Sequence, residues 1–270
     1  AAEKAPGKDP APQGTRTAVT FVSPQDQHDI SVLVFRKDGT AYVFDRLIDD
    51  NWTENDGRQE QSVELALGYY KFLFAAGFGN TLSLSPVPVE GQTGIGEVSF
   101  SLAKDTDGVT YLPSDELFLQ STEEDRDKSY FITGPSTVNA TLKRAVSKVS
   151  LEIKQGYIEE GEEIVIPFES GNILDYVEKI SVTMKNTGRS VSLTGGEKGA
   201  DIRFEVAATA IQPDPETGFA TLESPFIIPV GKDHSIDIDV IITHTAESSK
   251  APINGSVSGI IAPNRQLTVR

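Results

Sequence analysis

Along most of this chain the apolar side chains recur at every second position, the spacing of strands with one buried face. Ser235 to Ile242 (SIDIDVII) is the plainest case, with Ile236, Ile238, Val240 and Ile242 on one face and Asp237 and Asp239 on the other. Gly96 to Leu102 (GEVSFSL) alternates as cleanly. Ile30 to Phe35 is instead a nearly continuous run rich in branched residues, and Ala41 to Phe44 follows across Asp38-Gly39. Glycine tolerates the positive φ of a tight turn, so these two segments predict a hairpin. Further strands are predicted over Thr17 to Val22, Ser62 to Leu67, Tyr69 to Ala75 and Tyr130 to Ile132.

Pro135-Ser136 punctuates the chain. Val138 to Ile153 (VNATLKRAVSKVSLEI) then reads as one long or bent strand, with a slip of register near Ser147-Lys148 that suggests a bulge. Strands are predicted next at Glu163 to Pro167, Val177 to Met184, Ser190 to Leu193, Asp201 to Ala207, Thr221 to Pro229, Ser235 to Thr243, Gly255 to Ile261 and Gln266 to Val269. Ser114 to Gln120 reads as a short turn or irregular strand, and Asn172 to Lys179 allows one or two helical turns. No segment carries a helix of three turns. Many short strands with Gly, Pro and Asp between them predict an all-β chain of sandwiches. The length suits two, with a tether over residues 1–16, an N-terminal sandwich over 17–134 and a C-terminal one over 135–270.

Composition narrows the chemistry. The chain has 270 residues with 40 acidic against 24 basic, a formal charge of −16, so nucleic acid is not an expected partner. No cysteine is present, which removes disulfides, thiolate nucleophiles and cysteine-bound metals together. No apolar run is long enough to span a membrane as a helix. The opening stretch Ala1 to Thr15, rich in Pro, Ala, Gly and Lys, offers nothing larger than Ala to a core and reads as a spacer.

Catalysis finds little footing. His28, His234 and His244 fall in loops or at strand edges, outside any nucleophile motif and without a paired ligand spacing. The carboxylates cluster in turns at Asp49-Asp50, Asn55-Asp56-Gly57, Glu123-Glu124-Asp125 and Glu159 to Glu163, which reads as solvated surface. Asp105-Thr106-Asp107-Gly108 opens like a calcium loop and Glu116 falls at its twelfth position, but Val109 stands where an oxygen ligand belongs. Gly77 to Asn80 lacks the lysine and the following helix of a phosphate loop. Trp52 reads as a lid on the core rather than a sugar platform. No enzyme, cofactor, metal or catalytic residue is expected.

Four patches carry a family resemblance. Ser31 to Phe44 (SVLVFRKDGTAYVF), Leu67 to Ala76 (LGYYKFLFAA), Leu142 to Ile153 (LKRAVSKVSLEI) and Ala262 to Val269 (APNRQLTV) stand in order along the chain. Together they resemble the fimbrillin family of type V pili, above all its anchor-type and minor-subunit branch. Tyr70 lacks the usual preceding proline of the second patch. The resemblance implies two tandem transthyretin-like, Greek-key sandwiches and an outer-membrane lipoprotein precursor whose lipidated cysteine would precede Ala1. It also implies a cell-surface role in fimbrial assembly and adhesion, with other fimbrial subunits as partners through edge-strand pairing and a host or bacterial surface receptor as a further one. Thr17 to Val22 and Gln266 to Val269 are the expected exchange strands. The last strand ends at the C-terminus and Arg16 precedes the first, which favours an anchor or terminal subunit over a shaft repeat. The rival reading is a surface glycan-binding lipoprotein of a nutrient-uptake system, which calls for an exposed aromatic platform at Trp52 or Phe78.

Overall fold

The computed structural model describes residues 15–23, 29–120, 127–153, 155–166, 177–192, 195–211, 214, 219–246 and 251–269. In chain order the strands begin with β1 (Arg16–Ser23), β2 (Ile30–Asp38), β3 (Ala41–Ile48), β4 (Thr53–Asn55), β5 (Arg58–Ala66) and β6 (Gly68–Ala76). They continue with β7 (Leu82–Ser85), β8 (Ser99–Leu102), β9 (Phe118–Gln120), β10 (Tyr130–Ile132), β11 (Ser136–Asn139), β12 (Leu142–Arg144) and β13 (Lys148–Ile153). The remainder are β14 (Gln155–Glu159), β15 (Glu162–Ile166), β16 (Val177–Ser192), β17 (Gly195–Ala207), β18 (Ala220–Glu223), β19 (His234–His244), β20 (Ile253–Ile261) and β21 (Gln266–Val269). Among the described residues the helical content is confined to single turns. The all-β expectation holds.

Sheet I runs β11-β1-β5-β4, and sheet II runs β12-β9-β6-β2-β3 with β10 also on β6. They enclose one apolar cluster, fed by Val19 and Phe21 of β1, Leu65 of β5 and Val138 of β11 from one side. Val32 and Val34 of β2 and Phe72 and Phe74 of β6 meet them from the other. Phe21 sits edge-on to Phe72 and Phe74, with ring centroids 4.9 and 5.7 Å away, the geometry that aromatic quadrupoles prefer. The opposite face of sheet II is buried as well. Leu33, Phe35, Leu73 and Ala75 join a second cluster that passes through Leu82 and Phe100 into the C-terminal half.

That second cluster fills the space between sheet III, β18-β13-β21, and sheet V, which is built on β20-β19-β16-β8-β7 with β17 also on β16. Val149 and Leu151 of β13 contribute from one side, Val182, Met184, Ile236 and Ile238 from the other. Sheet IV is the β14–β15 ribbon.

Gly188 marks where the long strand β16 is pressed hardest. A Cβ there would lie 2.7 Å from the Ile228 carbonyl oxygen and 2.8 Å from Ile228 Cγ2, closer than such atoms can approach. The register of β16 against β17 slips on both sides of this position, as expected where a strand bends around a tight contact.

Three sequence expectations are revised. Residues 138–153 are not one bent strand but β11, β12 and β13, which belong to three different sheets. The break near Ser147 marks that hand-over and not a bulge. Val177 to Met184 and residues 190–192 of the expected strand Ser190 to Leu193 are instead joined in the single strand β16, and Leu193 lies outside the described residues. Of the helical alternative at 172–179, residues 177–179 are strand and the rest lie outside the described residues.

Strand pairing crosses residue 134 in both directions. β11 lies parallel to β1, with Val19 opposite Ser136, and β12 pairs with β9. Conversely β8, from the N-terminal half, pairs with β16.

Candidate functional site

A strand inside a sheet has both rows of backbone donors and acceptors used, whereas an outer strand leaves one row free. β20 is such a strand. Among the described residues it pairs with β19 alone, from Ile242 opposite Ile253 to His234 opposite Ile261. Cross-strand partners point to the same face, so Ile253, Val257 and Ile261 share the core-facing side with Ile238 and Ile236. Ile261, Ile236 and Ile238 are fully covered, yet Val257 is 38% and Ile253 55% exposed. The core-facing side is therefore sealed at one end of the strand and open at the other. The opposite face is polar in the middle, where Ser256 and Ser258 hydroxyls donate to Asp239 and Asp237 at 2.7 and 2.6 Å.

The sealed end has a specific cause. Leu267 of β21 packs directly onto Gly259, leaving no room for a Cβ. β21 is itself an outer strand, parallel to β13 from Lys148 opposite Gln266 to Leu151 opposite Val269. Two outer strands from facing sheets thus meet at Gly259 and Leu267, and past that contact the apolar side chains of β20 face solvent.

The two expected exchange strands fall in unlike places. Residues 266–269 form β21, an outer strand with Leu267 and Val269 half-buried. Residues 17–22 lie in β1, an inner strand of sheet I, with β11 on one side and β5 on the other and Val19 and Phe21 fully buried. The strand that sequence reasoning did not single out is β20. Its alternation marks it as a strand, but only the pairing order shows that it is an outer one.

The remaining sequence candidates resolve into structural roles. Trp52 packs against the first cluster as a lid does, and Phe78 stands edge-on to Phe100 at 4.9 Å, so neither offers the free aromatic face the rival reading requires. The exposed aromatic pair is Tyr69 and Phe131, stacked at 4.3 Å across β6 and β10. In the calcium-like loop, Asp107 accepts from the amides of Val109 and Thr110 at 2.7 and 2.8 Å, and Asp105 from the amide of Thr106 at 2.6 Å. The Thr110 hydroxyl heads the causes that lower the Asp107 pKa, followed by these amides. The Asp105–Asp107 turn is thus closed by its own backbone.

Beside Gly77 to Asn80 the Asp115 carboxylate accepts from the amides of Asn80, Thr81 and Leu82, each at 3.0 Å. Burial pushes its pKa up, but those amides outweigh burial and hold it below the usual carboxylate range. This segment is bound by an internal carboxylate, not shaped for a phosphate. Acidic residues 159–162 form the turn of the β14–β15 ribbon, residues 123–125 lie outside the described residues, and so does His28. His234 is fully buried and accepts from the Val230 amide through Nδ1 at 2.9 Å. Burial, then the Lys198 charge, lowers its pKa. Among the described residues no group of three metal-ligating side chains comes together, and no helix is long and apolar enough to cross a membrane.

Comparison with known proteins agrees with this architecture. A candidate adhesin from Bacteroides ovatus superposes with a TM-score of 0.58 at 10% identity, over 95% of this chain and 93% of its own. A second candidate adhesin from Bacteroides ovatus gives 0.56 at 17% identity, over 90% and 75%. A candidate polysaccharide-binding protein from Bacteroides thetaiotaomicron gives 0.54 at 14% identity, over 88% and 78%. These likenesses establish the shared fold. No curated protein matches the chain by sequence. The profile of the fimbrillin-A associated anchor proteins Mfa1 and Mfa2 matches residues 15–270, and with that near-complete match the chain belongs to this fimbrial family.

Proposed function

We propose that this protein is an anchor or terminal subunit of a fimbrium at the outer surface of the cell. In this reading it is non-enzymatic, is held to the outer membrane by a lipid outside residues 1–270, and supports adhesion by joining neighbouring subunits through its sheet edges. The two halves, 17–134 and 135–270, act as sandwich bodies that exchange strands across their boundary. The observation that carries the reading is β20, an outer strand of nine residues whose core-facing Ile253 and Val257 are exposed. An incoming strand would satisfy the free backbone row and cover these side chains together, so that hydrogen bonding and apolar burial act in one contact. β21, the other outer strand at the same rim, adds a second free row beside it.

The test is to substitute Ile253→Lys and Val257→Lys together and measure incorporation into fibres with the sister subunits. Both side chains already face solvent, so the folded protein keeps its circular dichroism and melting temperature. Incorporation is expected to fall about tenfold or more, since burying a lysine ammonium without a partner is costly. Incorporation equal to that of the unsubstituted protein counts against β20 as the joining edge.

A further inference from the structure

A polar cleft of about 540 Å³ opens where sheet III meets the N-terminal half, lined by Arg144, Lys148, Arg265, Glu116, Glu223 and Phe226 among others. Its residues come from distant parts of the sequence: β12, the start of β13, the end of β18, the 262–266 turn and the stretch before β9. The turn is clamped in place. Asn264 takes a positive φ of 55°, its amide donates to the Val146 carbonyl at 3.2 Å, and the Lys148 amide donates to the Arg265 carbonyl at 3.4 Å. The Ser147 hydroxyl bonds the Ala262 carbonyl at 2.5 Å.

Two of the three cations are held rigidly. The Arg144 guanidinium lies 5.6 Å from the Phe118 ring and 5.7 Å from the Phe226 ring, and its Nε donates to Glu116 at 2.8 Å. The Lys148 ammonium stands 4.8 Å over Phe226 and 3.3 Å from Glu223. Arg265 is exposed and, among the described residues, has no ion-pair partner. Charge inside the cleft therefore comes to one unanswered positive unit on a chain whose formal charge is −16.

The occupant can be narrowed by charge and hydrogen bonding. One unanswered cation matches one carboxylate. A phosphate dianion or a strongly acidic peptide would press additional negative charge against Glu116 and Glu223. Those carboxylates accept hydrogen bonds, while Asn264 and Gln266, also in the lining, both donate and accept. Hydroxyl groups, which do both, satisfy such a wall in either sense. The volume lies within the range of small-ligand sites, roughly 300–1,000 Å³, room for one or two sugar rings. We infer that the cleft binds the carboxylated residue of a glycan, a sialic or uronic acid, with its carboxylate on Arg265 and its hydroxyls on Glu116, Glu223, Asn264 and Gln266. This inference stands apart from the β20 contact that carries the assembly reading, because none of these residues lies on β20 and only Gln266 belongs to β21.

The test is isothermal titration of the full chain with N-acetylneuraminic acid, galacturonic acid and galactose in parallel. Saturable one-to-one binding of an acidic sugar is expected, with galactose about tenfold weaker or more, the scale of a charge-assisted hydrogen bond. Which acid binds identifies the source. Arg265→Ala and Arg265→Gln, both at an exposed position, are expected to weaken binding by a similar factor at unchanged melting temperature, while Lys37→Ala, away from the cleft, leaves it unaltered. Absence of saturable binding to both acids overturns the inference. So does equal affinity for galactose, binding that survives both Arg265 variants, or tighter binding of a glutamate-rich peptide than of either sugar.

Discussion

The two apolar centres of this molecule are finished to different degrees. Between sheets I and II the cluster around Phe21, Phe72 and Phe74 is fully buried, and β1 has a hydrogen-bonded neighbour on each edge. Between sheets III and V the core is equally dense around Ile236 and Ile238, but the sheet ends on β20 with apolar side chains in solvent. Both regions obey the same alternation of polar and apolar positions. Alternation builds the sheet, then, but whether the sheet is closed depends on what lies beyond its last strand. A closed sandwich supplies stability, and an unfinished one leaves a backbone row and apolar side chains open to solvent.

Substitutions can separate those two contributions. The largest loss is expected for Phe72→Ala, which removes a fully buried ring between Phe21, Tyr70 and Tyr130. Chemical denaturation should show a loss of about 3–5 kcal/mol. A loss under 1 kcal/mol would mean that the first sandwich does not bear on global stability. Gly188→Val comes next. Its side chain would collide with the Ile228 carbonyl oxygen, which as backbone cannot swing aside, so about 1–3 kcal/mol is expected.

A smaller effect follows from acid. The Val230 amide donates to Nδ1 of His234, so that nitrogen must keep its lone pair and the ring proton sits on Nε2. Protonation would set two donors against each other in a buried site. Because the folded pKa lies below the ordinary value of 6.5, the unfolded chain takes up a proton first as pH falls. Stability is therefore complete above about pH 6.5, declines below it, and levels off once the folded histidine also protonates. Denaturation midpoints across pH 7.5 to 5, compared with a His234→Gln variant that removes this slope, would show it. Asp115 contributes in a separate window. Its stabilising influence is present once the carboxylate ionises in the unfolded chain and disappears only as pH falls through its depressed folded pKa. The smallest effect belongs to the unfinished rim: Ile253→Ser should move stability by no more than about 0.5 kcal/mol. A larger loss would show that Ile253 is part of the core after all.

Much of this was legible before any coordinates. The alternating residues 235–242 and the Asp38-Gly39 turn behave as their pattern requires, with Gly39 at a φ of 58°. The nearly continuous apolar run at 30–35 corresponds to a strand covered on both faces, Val32 and Val34 in one cluster and Leu33 and Phe35 in the other. What the pattern could not convey is partnership. Residues 138–153 alternate with a single slip near Ser147, yet they serve three sheets, because periodicity specifies which side chains turn inward and not which strand lies alongside. The cleft was hidden for the same reason. Arg144, Lys148, Phe226 and Arg265 are unremarkable one by one, and only the fold brings them around a common space.

The parallel pairing of β1 with β11 carries a consequence for synthesis. During synthesis β1 can meet its neighbour β5 early, but its other partner is not made until the chain has passed Asn139. A nascent chain therefore spends most of its first half with the groove beside β1 unfilled, and a fragment stopped at residue 134 would keep it so. That fragment should self-associate more strongly than one extended to residue 145, which carries β11 and β12, since both leave the Leu33 and Leu73 face of sheet II uncovered and only the shorter one also lacks the strand beside β1; size-exclusion chromatography would compare them. Timing, as much as sequence, would then determine whether this groove meets its own strand or a stranger's.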